Sequence, residues 1–67
     1  MATEMEKDAL FEILSGTYVL ILRSEKKNQN DLNTLLELKE ELYSTNHKEI
    51  NYESVLDTLK TLRAKYE

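Results

Sequence analysis

His47 is the only histidine of this 67-residue chain, and it sits between Asn46 and Lys48 in a polar stretch that reads as a loop. An imidazole can serve as a general base or a metal ligand, but either role needs partners held in place by the fold. No second histidine supplies a His-x-x-x-His pair. The expectation is a solvated loop histidine. Glu37, Glu40 and Glu41 form a carboxylate group that could be imagined as metal ligands or an acid/base pair, and Glu37 and Glu41 lie one turn apart on a helix. Di-metal bundles use inward-facing glutamates with Glu-x-x-His motifs from other helices. That motif is missing here, and the three glutamates fall away from the neighbouring leucines, as on a solvated face. No phosphate loop, nucleophile elbow or zinc motif occurs. Gly16, the single glycine, cannot build a phosphate cradle alone, and is expected to allow close packing against a neighbouring element. The reading is a non-enzymatic protein with no catalytic, metal or cofactor residues.

Composition narrows the class. The chain is 40% hydrophobic and 33% charged, apolar enough to fold. Its net charge of −4 argues against general affinity for nucleic acid or anionic membrane, both of which need clustered Lys and Arg. The amino end is acidic where a secretory segment is basic, and the longest apolar run is far below the ~20 residues that span a bilayer. A cytoplasmic protein is expected. Cysteine is absent, so disulfides and thiolate metal sites cannot staple the fold. Residues 1–67 make one helical domain, of a size that is marginal without good packing or oligomerisation.

The elements that position these side chains follow from periodicity. Proline is absent and glycine nearly so, which favours helices. Three are predicted, over about 4–25, 31–44 and 52–66. The fold class is all-α: a small antiparallel three-helix bundle with the first helix most buried. Thr3 and Glu6 have the spacing of a capping box. Asn30 or Asp31 is expected to cap the second helix and Asn51 the third, with Ile50 and Val55 as a hydrophobic staple. In the second helix Leu32, Leu35, Leu36, Leu38, Leu42 and Tyr43 share one broad face, and Lys39 falls inside it. Tyr52, Val55, Leu56, Leu59, Leu62 and Tyr66 recur at three- and four-residue spacing in the third.

The second and third helices carry Leu35-Leu36-Glu37-Leu38-Lys39-Glu40-Glu41-Leu42-Tyr43 and Leu56-Asp57-Thr58-Leu59. This run resembles the helical hairpin of the small aspartyl-phosphate phosphatases that regulate sporulation. That family's signature is Ser-Gln-x-x-Asp. The corresponding residues, Glu53-Ser54-Val55-Leu56-Asp57, keep only the Asp, so no phosphatase activity is carried over.

The first helix has more apolar surface than one face holds. Tyr18-Val19-Leu20-Ile21-Leu22 are consecutive and point in every helical direction. A rival reading makes 17–22 a strand, since these residue types suit one; a strand there would need a partner from another chain. With Leu10, Leu14, Thr17 and Ile21 assigned to the bundle, Tyr18, Val19 and Leu22 remain as a protein-interface surface. The expected partners are a second copy of the chain, in a homodimer, and another protein. The functional expectation is a small regulator or inhibitor of the kind found in bacteria and phages. The alternative is an acidic nucleic-acid mimic that blocks a DNA- or RNA-binding protein, on an excess of 13 acidic over 9 basic residues.

Overall fold

Thr3 starts the first helix as its spacing predicts. Its hydroxyl accepts from the Glu6 amide at 3.1 Å, and the Glu6 carboxylate accepts from the Thr3 amide at 2.9 Å. Two amides left open by the first turn are thereby satisfied. The computed structural model describes residues 2–67. Helix α1 spans Glu4–Arg23, α2 Gln29–Ser44 and α3 Tyr52–Tyr66, with a single 3₁₀ turn at His47–Glu49 before α3. There is no strand among the described residues, and 17–22 is helical.

Long-range bonds give the directions. Lys7, near the start of α1, donates to the Thr45 carbonyl just past the end of α2 at 2.9 Å. Asp31, near the start of α2, meets Lys65 and Tyr66 at the end of α3. Successive helices therefore run antiparallel, and α1 packs against both others.

The core is built on α1. Leu10, Leu14, Thr17 and Ile21, spaced four, three and four residues apart, are its buried positions. Leu32, Leu35 and Leu42 meet them from α2, Leu59 and Leu62 from α3, and Ile50 closes the end from the connection. Thr17 is the only buried polar residue among those described, and its hydroxyl donates to the Ile13 carbonyl at 2.8 Å, so nothing polar is stranded there. Asn51 caps α3 by accepting from the Ser54 amide at 3.1 Å.

Several expectations are corrected. Helix α1 stops at Arg23, two residues early, because Ser24 turns extended and its hydroxyl accepts from the Lys26 amide. Helix α2 begins at Gln29, and its cap is Asn28, not Asn30 or Asp31; Asn28 Oδ1 accepts from the Asn30 amide at 2.8 Å. His47 is half-buried and bonded, not solvated. Its Nδ1–H donates to the Ala2 carbonyl at 3.1 Å, and its own carbonyl accepts from the Ala2 amide at 3.2 Å. These bonds hold Ala2 in the core. Within the single chain Gly16 packs against no other element: a Cβ added there would meet nothing within 4 Å.

Leu36 and Tyr43 are also corrected. Both lie in the apolar arc of α2, yet both are exposed. The reason is their place at the edge of the arc, outside the stripe that faces the other helices. Helix α2 therefore has one covered stripe, through Leu32, Leu35 and Leu42, and no fourth helix among the described residues covers the edge that carries Leu36 and Tyr43.

A candidate protein-binding groove between the first two helices

The face of α1 beside its core stripe meets the uncovered edge of α2. Between them runs an open groove of about 300 Å³, lined by Leu14, Ser15, Tyr18 and Val19 of α1 and by Leu36 and Lys39 of α2. Leu14 forms its floor and is itself part of the core. Val19 and Leu36 are 43% and 44% exposed, and large apolar side chains left that open and grouped together are the informative exceptions to burial. Tyr18 is half-buried and packs on the core.

Towards the start of α1 the same helix–helix junction is aromatic. The Phe11 and Tyr43 rings stack at 4.6 Å between centroids, tilted by 37°. The Lys39 ammonium lies 6.0 Å from the Tyr43 centroid, at the outer limit of attraction to a ring face. The groove therefore has apolar walls and one cation on its rim. It contains no acid/base pair. Glu37, Glu40 and Glu41 are exposed, and among the described residues no group of three or more His, Asp or Glu side chains is placed to hold a metal.

Of the three residues expected at an interface, Tyr18 and Val19 share the groove. Leu22, 44% exposed, stands about one turn beyond Val19 on α1 and does not line it. Leu36 lines the groove and Tyr43 stands beside it, although their spacing alone assigns both to the core. A weaker signal of their place is present in the sequence: they lie seven residues apart, on one line at the edge of the α2 arc.

A cluster of bonded polar side chains lies elsewhere. Asp31 Oδ2 accepts from the Tyr66 hydroxyl at 2.6 Å and from the Lys65 ammonium at 2.9 Å, joining the start of α2 to the end of α3. The Tyr66 hydroxyl, and then Lys65, hold the Asp31 carboxyl below its ordinary range. The same carboxylate raises Lys65 and Tyr66 above theirs. The three side chains satisfy one another, and the cluster serves as a clasp between helices.

Compared with known proteins, the chain matches no family model, no curated protein and no solved structure.

Proposed function

We propose that this protein is a non-enzymatic binding module, a small regulator or inhibitor that docks another protein on the apolar surface of α1 and α2. The observation that carries the reading is the grouping of Val19, Leu36 and half-buried Tyr18 around one groove, with Leu22 adjacent. Apolar area of this kind contributes roughly 25 cal/mol per Å² when a partner removes it from water, and aromatic side chains such as Tyr18 and Tyr43 are enriched in interfaces. An amphipathic helix laid into the groove is the partner geometry that suits two antiparallel helices with an apolar seam.

The test is a comparison of surfaces. Three forms are used: the parent, Leu36→Glu in the groove, and Glu40→Ala on the exposed face of α2 as the control. Circular dichroism first establishes that all three are folded. Each form then captures proteins from the native host's lysate at low and high salt. A partner retained by the parent and by Glu40→Ala, lost with Leu36→Glu and insensitive to salt supports the groove. A partner that all three forms retain equally refutes it. A partner released steeply by salt and kept by Leu36→Glu favours the acidic-mimic reading instead.

A further inference from the structure

The outer face of α1, opposite its buried stripe, carries Asp8, Glu12, Gly16, Val19 and Arg23, all exposed, with Val19 also at the edge of the groove. They lie four, four, three and four residues apart, so they form one continuous stripe. Three features of the stripe are unexplained by the single chain. Gly16 weakens the middle of a 20-residue helix, yet nothing approaches it. Asp8 and Glu12 are like charges one turn apart, a destabilising spacing, and among the described residues no ion pair relieves either. Val19 stands 43% exposed directly after the notch that Gly16 leaves.

A second copy of α1 running antiparallel explains all three. Place the two-fold axis between Thr17 and Tyr18. Val19 of each copy then lies over Gly16 of the other, where the missing Cβ leaves room. Glu12 falls opposite the partner's Arg23, the last residue of α1. All of these pairs share the same centre, so one register satisfies them together. Like-charged ends would meet in a parallel pairing, which the charge order opposes. We propose that the protein self-associates through α1 in this antiparallel register, with Gly16 and Val19 interlocked at the centre and Glu12–Arg23 pairs at both ends. The interface is isologous, so each contact occurs twice.

The test uses sedimentation equilibrium of the full chain at low ionic strength. Glu12 and Arg23 lie eleven positions apart on one helix, roughly 16 Å of rise, too far to touch within one copy. Glu12→Arg and Arg23→Glu should each weaken the dimer about tenfold or more, because each reversal sets like charges face to face twice. The double variant, Glu12→Arg with Arg23→Glu, should restore it. Gly16→Leu should abolish the dimer while circular dichroism keeps the parent's helical spectrum, since the notch is open in the single chain. Leu36→Glu, outside this stripe, should leave the dimer unchanged. That result separates self-association from docking in the groove, because Leu36 lines only the groove while Val19 borders both surfaces. A parent that stays monomeric up to roughly 1 mM overturns the proposal. So does a dimer that neither single reversal weakens, or one that the double variant does not restore.

Discussion

The Tyr66 hydroxyl donates to Asp31 Oδ2 at 2.6 Å across 35 positions of sequence. With Lys65 on the same oxygen, this is the main polar tie between α2 and α3. Its pH dependence has two limbs. Asp31 is lowered in the fold, so its contribution is present above the unfolded carboxyl pKa of about 3.9 and is lost as pH falls through the folded value. Lys65 and Tyr66 are raised, so theirs is present below about 10 and is lost as pH rises through their folded values. Asp31→Asn should lower the melting temperature near neutrality, and the parent's advantage should shrink below about pH 4. Equal curves for parent and variant from acid to neutral pH would show that the clasp adds nothing.

Leu59 is fully buried at the middle of the α3 stripe. Leu59→Asp places an unpaired carboxylate among leucines, at a cost of several kcal/mol, comparable to the whole stability of a small domain. The variant should lose the helical circular dichroism that the parent shows at room temperature. Glu40→Ala, on an exposed face, should melt as the parent does, within the roughly ±0.5 kcal/mol usual for such sites.

Gly16→Ala should stabilise the single chain by about 1 kcal/mol, because alanine is the better helix former and its Cβ enters open space. In a domain of this size that is a rise of roughly 4–8 °C in melting temperature. The measurement belongs at low protein concentration, where association does not contribute. A fall in melting temperature there would mean that an unseen contact occupies the notch.

Thr17→Val keeps the β-branched shape and removes the hydroxyl that donates to the Ile13 carbonyl. That carbonyl sits inside α1, where it also receives the helical amide bond from four residues on, so no acceptor is stranded. The expected change in urea unfolding is within about 1 kcal/mol. Thr17→Ala, which leaves a void at a fully buried position, should cost more. The reverse order would place an unrecognised polar partner at Thr17.

What the sequence by itself determined is whatever interactions within a few residues decide. The Thr3–Glu6 box, the Asn51 cap and the buried series Leu10, Leu14, Thr17 and Ile21 are all legible in it, because caps and helical periodicity are fixed by residues three and four apart. So is the surplus of Val19 and Leu22, since no helix can bury five consecutive positions against two neighbours. Tertiary structure decided the rest. Leu36 and Tyr43 are apolar and correctly spaced for a core, but their burial depends on whether another element lies over that edge of α2, and none of the three helices does. His47 is polar and sits between two helices, yet the antiparallel return of α2 brings its ring to the Ala2 carbonyl, 45 positions away in sequence. Asp31 is legible only as a cap candidate until the same packing sets it beside Tyr66. Local spacing sets which face of a helix is apolar; only the number and direction of its neighbours sets how much of that face is covered.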